Sequence, residues 1–555
     1  MFSKNVLSLG LIAVAAALAA GNYPPLRPEQ NWIDSVRHKF WYIDQGARVM
    51  PLEWFKKLEL AQSDQKFWIG LDRYGFINDD FGIPKTMKAA LAGLPIGFSV
   101  NENDNWVGIT CAACHTGVIR HGEQRYMIEG APGMIWFDRF VSEMVDAMES
   151  TIKDKAKHDR FFTKEMGAGA EAEFASLLGR HAMRRLINTP KEPAGFGRLD
   201  AFGHIFNTLV VEHLGNDPSK AIKSIAPASY PVLWDIAQHD RVQWNNSAPN
   251  LGVGKKAVGS LLRNVIEVLG VFGTATIVKS KGFTGETWAY KSSANIPNLQ
   301  TIEGLLEDLR SPRWPFKGPN EAPNEAKARH GRDIYQVQCS HCHAVLKDPS
   351  KATYPFPSMP IPIGGCSNPG KCVGTEKELA LISDGYRAPT KILEGAKMKM
   401  HPRQPFRKFG DCALVFEIGG HLAISVVTPE VALSEALLGT IKAIWEGEGD
   451  MMVYKARPLN GIWASAPYLH NGSVPNLWEM LQKPEKRMPK FCVGDSQYDL
   501  KNVGFQTYAN RVSQCPDHTT VVNTELKGSM KIGHDFGTDL SDSDKWDLIE
   551  FLKSL

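Results

Sequence analysis

The chain has almost no net charge: 63 Lys and Arg against 60 Asp and Glu leave +3 over 555 residues. Such a balance gives no ground for nucleic acid or an acidic surface as a partner. There is no low-complexity tract, and beyond the first twenty residues no run is apolar enough to span a membrane, which takes about 20 such residues. Cysteines are scarce, nine in all, and only two pairs have the C-x-x-C spacing. The rest of the composition, 43% hydrophobic and 22% charged, is that of an ordinary globular protein with room for two to four domains. Fourteen tryptophans and 34 prolines point to loop-rich structure with aromatic-lined interiors.

Both C-x-x-C pairs are followed at once by histidine: Cys111-Ala112-Ala113-Cys114-His115 and Cys339-Ser340-His341-Cys342-His343. C-x-x-C-H is the attachment signature of a c-type haem. The two thiols form thioethers to the porphyrin vinyl groups, and the histidine that follows binds iron as the proximal ligand. A zinc site would need a second ligand pair at suitable spacing, and no further C-x-x-C exists. A redox dithiol would not require histidine in the fifth place of both copies. The expectation is two covalently attached haem c groups on Cys111, Cys114, Cys339 and Cys342, with His115 and His343 as proximal ligands.

The amino terminus reads as a secretory signal. Lys4 is followed by an apolar run from Val6 to Ala20, with an A-x-A site at Ala17-Leu18-Ala19. No cysteine follows the cleavage site to take a lipid anchor. The mature protein is therefore expected to be periplasmic or secreted, without a membrane span, and export suits covalent haem attachment outside the bacterial cytoplasm. In an oxidising compartment the remaining cysteines can pair. Cys366 with Cys372 and Cys492 with Cys515 are the expected bridges, leaving Cys412 as a small buried hydrophobe.

The expected fold class is mainly α, with two cytochrome c-like haem domains carrying long loop-rich insertions. After the signal peptide at 1–19, the first haem domain runs over 20–320, with a leader that wraps its haem. The second runs over 321–555. Helices are expected over 54–61, 136–152, 171–188, 257–270 and 325–337, and a short strand over 126–130. The proline-rich stretch from Ser311 to Pro323 reads as the linker. At the end, Ser541-Asp542-Ser543-Asp544 resembles a capping box, and Trp546, Ile549, Leu552 and Leu555 share one helical face. A helix leading into Cys339 and a helix ending the chain describe the small cytochrome c fold, where the two cross at a glycine, here Gly331.

Function divides at the sixth ligand, because an iron with two protein ligands carries electrons whereas one with a free site can bind oxygen or peroxide. For the second haem the candidates are His534, in a glycine-flanked loop before the last helix, and His470, with Met398, Met400 and His401 behind them. For the first haem, Met127 and Met134 stay open, and His121 lies too near the attachment site to reach the far face. This permits an open distal side.

Two C-x-x-C-H motifs split between two halves resemble the bacterial diheme cytochrome c peroxidase superfamily. The run from Arg457 through Tyr468-Leu469-His470-Asn471-Gly472 is similar to its T-x-P-Y-x-H-D-G segment, and Gly533 to Leu552 is similar to its ending. In those proteins a methionine close to the position of His534 binds the electron-transfer haem, so the resemblance implies His534 as the sixth ligand. Gln45 to Pro51, Gly197 to Gly203 and Arg263-Asn264 to Gly273 resemble the rubber oxygenase branch, which uses two histidines on its C-terminal haem. The resemblance implies catalysis at the His115 haem and electron transfer at the His343 haem; Phe202 is read first as a packing residue, with a wall of the distal pocket as the alternative. Three activities follow as alternatives: an oxygenase acting with dioxygen on an apolar unsaturated small molecule, a peroxidase fed by a small electron-donor protein, and a non-enzymatic electron carrier.

Overall fold

The computed structural model describes residues 25–250, 258–283, 285–346, 359–362, 372–398, 407–427, 453–508 and 515–555. The signal sequence, Cys366, Met400 and His401 lie outside them. Helix outweighs strand, 38% against 17%, and among the described residues every strand belongs to a two- or three-stranded piece. The expected mainly helical class holds in part: the chain is helix-rich, with small hairpins and loops between the helices.

In chain order, the elements that bear on the site are α1 (Cys111–Cys114), β1 (Thr116–His121), β2 (Gln124–Glu129), α2 (Phe137–Lys153), α3 (Ala201–Asn207), α4 (Val258–Gly270), α5 (Glu325–Gln338), β3 (Met359–Pro362), α6 (Val415–Val427), β4 (Val453–Ala456) and α7 (Asp542–Lys553). β1 pairs antiparallel with β2, and β3 with β4. α2 forms because Phe140, Met144, Val145 and Met148 recur at helical spacing on a buried face, each stabilising the fold by about 1.5–3 kcal/mol. Phe140 packs edge-on to Tyr74 and Phe76. The helix expected over 54–61 is shorter, Leu52–Lys57, because the chain turns extended at Leu58 to bury that side chain.

The leader does pack onto the first motif. Thr110 Oγ1 donates to the Trp41 carbonyl at 3.1 Å, and Cys111 Sγ lies 3.4 Å from Gln45 Oε1. The proline-rich stretch is a strap rather than a loose tether: Phe316 is buried, and Trp463 Nε1 donates to the Pro312 carbonyl at 3.0 Å.

Asp235 pins the start of that strap. Its backbone N–H donates to the Leu309 carbonyl, and its Oδ2 accepts from Ser311 N at 3.3 Å. Arg310 stands 3.9 Å from Oδ1, which has no hydrogen-bond partner. Burial therefore outweighs Arg310 and raises the carboxyl to about 6. The folded chain holds that proton more tightly than the unfolded one, so its stability contribution is complete below about pH 4 and is lost as pH rises through about 6. Two pH units correspond to about 3 kcal/mol. Asp235→Asn, which also suits the left-handed backbone there (φ 57°), is expected to raise the thermal midpoint at pH 8 and leave it unchanged at pH 4. A gain at pH 4 equal to that at pH 8 would refute this.

In the second half, α5 crosses α7 at Gly331, where an added Cβ would meet the Asp547 carbonyl oxygen at 2.0 Å. Ser541 caps α7, its Oγ accepting from Asp544 N at 3.2 Å. The face of α7 turned inward is Leu548, Ile549, Phe551 and Leu552, while Trp546 stacks on Trp478 at 4.1 Å. Gly331→Ala is expected to cost about 1–3 kcal/mol through overpacking, seen as a lowered denaturation midpoint.

Cys492 and Cys515 are joined. Cys372 is disulfide-bonded, its expected partner Cys366 lying outside the described residues. Cys412 is free, as expected, but exposed rather than buried: it starts a strand that pairs with Arg387–Pro389 and alternates exposed Cys412 with buried Ala413.

Candidate functional site

Each C-x-x-C-H motif opens onto its own apolar cavity, and the two cavities are of similar size, about 190 Å³ at the first motif and about 220 Å³ at the second. In neither motif are the two sulfurs bonded to each other. Burial pushes Cys111, Cys114 and Cys339 up to about 12, the reverse of the lowered thiol that marks a redox dithiol. Among the described residues no three Cys, His, Asp or Glu side chains converge to hold a bare metal ion.

At the first motif the Thr110 hydroxyl caps α1, accepting from Ala112 N, and β1 and β2 follow at once to fix the exit of the chain. His115 Nδ1 bonds the Pro231 carbonyl at 2.8 Å. At the second, His343 Nδ1 bonds the Arg457 carbonyl at 2.7 Å, and the Tyr335 hydroxyl of α5 donates to the His343 carbonyl at 2.5 Å. A histidine that donates its Nδ1–H to a carbonyl has its tautomer and ring orientation set, leaving Nε2 as the ligand atom. Burial lowers His115 to about 4 and lowers His343 too, so both are neutral, the form that binds metal.

The cavities differ in what faces these histidines. In the second, His534 stands opposite, its ring centre 6.1 Å from that of His343. His343 and His534 are the residues that would hold the iron of a haem at this motif. His534 Nδ1 is buried without a partner, and burial, followed by the nearby His343, lowers the ring to about 3. Its loop is clamped by Arg487, a fully buried guanidinium that donates to five carbonyls: Gln482, Lys531, Gly533, Met480 and His534. His534 N–H adds a bond to Val373 O at 2.7 Å. The rival, His470, lines the same cavity but stacks on Tyr454 at 4.1 Å.

The described lining of the first cavity holds no methionine and no histidine but His115. Met127 and Met134 line neither cavity, and His121 pairs with Glu321 at 2.9 Å. Met398 is buried elsewhere in the core. Phe202 is on the wall of the first cavity with Ile205 from α3. Sequence reasoning missed a polar group there: Glu267 and Arg263 of α4, with Gln243 donating to Glu267 Oε1 at 2.9 Å. Burial raises the Glu267 carboxyl, yet 35% of its side-chain surface faces open space. The available signal was an arginine and a glutamate four apart in an otherwise apolar helix.

Trp244 and Arg457 line both cavities. The Arg457 guanidinium lies 5.2 Å from the Trp244 ring centre and donates to the Val232 carbonyl. It has no carboxylate partner among the described residues, its Nε is unpaired, and burial lowers it to about 10. A buried cation without an anion between two cavities fits the propionates of haem. Thiols, neutral imidazole, apolar walls and this cation together make each cavity a fit for that group.

Comparison with known proteins agrees on the cytochrome character. Residues 453–492 match the family described as RoxA-like, cytochrome c-like. This segment carries Arg457, which holds His343, and Arg487, which holds the His534 loop, but neither C-x-x-C-H motif. The match indicates a cytochrome of the oxidoreductase kind with covalently bound haem c. The chain is 26% identical to the uncharacterized protein y4iJ of Sinorhizobium fredii, over 95% of this chain and 92% of that relative. It is also 35% identical to the uncharacterized protein y4iM of the same organism, over 18% of this chain and 27% of that one. Among the described residues no helix is long and apolar enough to cross a membrane.

Proposed function

We propose that the chain is an exported diheme c-type cytochrome, cleaved near Ala19, that uses dioxygen to cleave an apolar unsaturated small molecule at the His115 centre. His343 and His534 hold the second centre for electron transfer. The observation that carries this reading is the asymmetry of the cavities: a histidine faces His343, and no histidine or methionine of the described lining faces His115. Bound haem supplies an iron at which an oxygen species is activated. The protein's own part is to hold His115 neutral and oriented through Pro231, to keep bulk water from the apolar walls formed by Leu199, Phe202 and Ile205, and to set the alkene against the open face. Both oxygen atoms end in the two carbonyl products, so cleavage consumes no external electrons. Trp244 and Arg457 lie between the centres, where an aromatic edge and a cation couple them.

Glu267 favours a second reading, a peroxidase fed by a small electron-donor protein. Its carboxyl, held by Gln243, is placed to move a proton between the two oxygens of a peroxide in the first cavity.

Carbon monoxide titration of the reduced protein tests both, with one molecule bound per chain as the expected result. Two low-spin centres that never bind it would leave only an electron carrier. Oxygen uptake driven by an isoprenoid then favours the first reading. Rapid reaction with peroxide, slowed at least a hundredfold by Glu267→Gln in keeping with general acid–base roles of about 10²–10⁴, favours the second.

A further inference from the structure

Two short strands near the end of the chain, β5 (Lys490–Val493) and β6 (Thr520–Asn523), pair antiparallel with Cys492 opposite Val521. Their register decides which main-chain groups are spent. Thr524 N donates to the Pro489 carbonyl, so the pairs Phe491–Val522 and Val493–Thr520 carry the bonds of the ladder. The alternate residues turn their groups outward. On β5 that side is taken, because Cys492 N donates to the Thr507 carbonyl at 3.0 Å. On β6 the Val521 N–H and C=O and the Asn523 N–H point away from β5 and meet no partner among the described residues. Proteins ordinarily blunt such an edge with charge, proline or a bulge, and β6 has none of these.

The open edge borders a groove of about 690 Å³ that shares no lining residue with either haem cavity. Pro190, Pro193 and Pro227 also line it, and prolines have no N–H with which to cover a strand. The groove is cationic. Lys191, Lys490 and Lys527 are exposed along it. Lys527 pairs with Glu378 at 3.0 Å, whereas Lys191 and Lys490 have no carboxylate partner among the described residues. Arg198 is buried in the lining and donates to the Ala194 and Asn471 carbonyls and the Ser529 hydroxyl, and to no carboxylate among the described residues. Of the two acids in the lining, Asp200 is turned to the N–H groups of Gly203, Ile225 and Ala226, which leaves Glu192 alone against the cations. The two faces of the ribbon differ as well. Lys490 and the half-exposed Val521 share one face, while Phe491, Val493 and Val522 share the other, where Trp136 packs and also lines the groove.

We infer that this groove docks an extended, acidic segment of a partner protein, which adds a third strand to β6. Val521 and Asn523 supply the main-chain bonds. Side chains alternate along a strand, so carboxylates fall on the face of Lys490 and apolar side chains on the face of Trp136. Such a segment meets both the open edge and the cations that the fold leaves uncompensated. The inference is independent of the chemistry at either haem motif.

The test is calorimetric titration of the full-length holoprotein with a six-residue peptide of alternating glutamate and valine, blocked at both ends. Saturable binding of one peptide per chain is expected. The counterpart with lysine for glutamate is expected to bind at least tenfold more weakly, through like-charge repulsion. The acidic peptide with every amide N-methylated is also expected to lose at least tenfold, because about three main-chain bonds go. Lys191→Glu combined with Lys490→Glu, at exposed positions unpaired in the fold, is expected to weaken the acidic peptide at least fivefold while helix content and haem absorption match the parent. The inference is overturned if the acidic peptide does not bind, if either altered peptide binds as well, or if the double variant binds as the parent does. Displacement of the peptide by an equal concentration of inorganic phosphate would make the groove a plain anion site and overturn it too. So would a chain that sediments as a dimer until the peptide is added, which would make a second copy the occupant.

Discussion

Replacing His534 with alanine is expected to turn the low-spin spectrum proposed for the His343 centre high-spin, with the haem content of the purified chain unchanged. Among the described residues, His534 is the imidazole that stands across from His343. The His534 ring is the one 6.1 Å from His343 across the cavity, whereas His470 is stacked on Tyr454 and held by the bond from Ser229 N to its carbonyl. Attachment depends on Cys339 and Cys342, which the substitution does not touch. The reduced variant should then bind a second carbon monoxide per chain, and the potential of that centre should change, because the axial ligand is a principal determinant of haem potential. Electron paramagnetic resonance separates the outcomes: a spectrum identical to the parent would remove His534 from the iron.

A comparable spectral change is expected from Arg487→Ala, although Arg487 touches no imidazole. Its guanidinium is buried and makes all five of its hydrogen bonds to carbonyls, three of them on Lys531, Gly533 and His534. His534 itself has a left-handed backbone, φ 50°, beside Gly533 at φ 74°, a conformation an L-residue keeps only when its surroundings hold it. Without the clamp those carbonyls lose charge-assisted bonds worth about 1.5–3 kcal/mol each before relaxation. The loop is expected to loosen, giving a mixture of high- and low-spin second centre and a stability loss of about 3 kcal/mol or more. Arg487→Lys should fall between parent and alanine, since an ammonium cannot fan out to five acceptors. If stability drops while the second centre stays wholly low-spin, Arg487 supports the fold and does not position the ligand.

Parts of the architecture were readable from the chain because they are coded locally. The helices at 137–153, 170–188, 258–270 and 325–338 all lie within a residue or so of their expected limits, and the last helix starts directly after its expected cap Ser541; their apolar positions repeat at helical spacing over several turns. The helix at 52–57 was misjudged because its pattern continues past Leu58 while the backbone does not. Cys412 was misplaced since an apolar neighbourhood in sequence does not say which face of a strand a residue takes.

The two cavities follow a similar line. Sequence alone determined the attachment motifs, the proximal histidines as candidates, the crossing glycine Gly331 and the short list of opposing ligands, because each depends on residues close together in the chain. Only the tertiary structure set His534, and not His470, across from His343, placed Glu267, Gln243 and Arg263 beside the first motif, and set Trp244 and Arg457 between the cavities. Those groups come from loops and helices far apart in sequence, and loop residues carry no periodicity to announce their direction. Their meeting is a product of packing around two cavities, which no local pattern records.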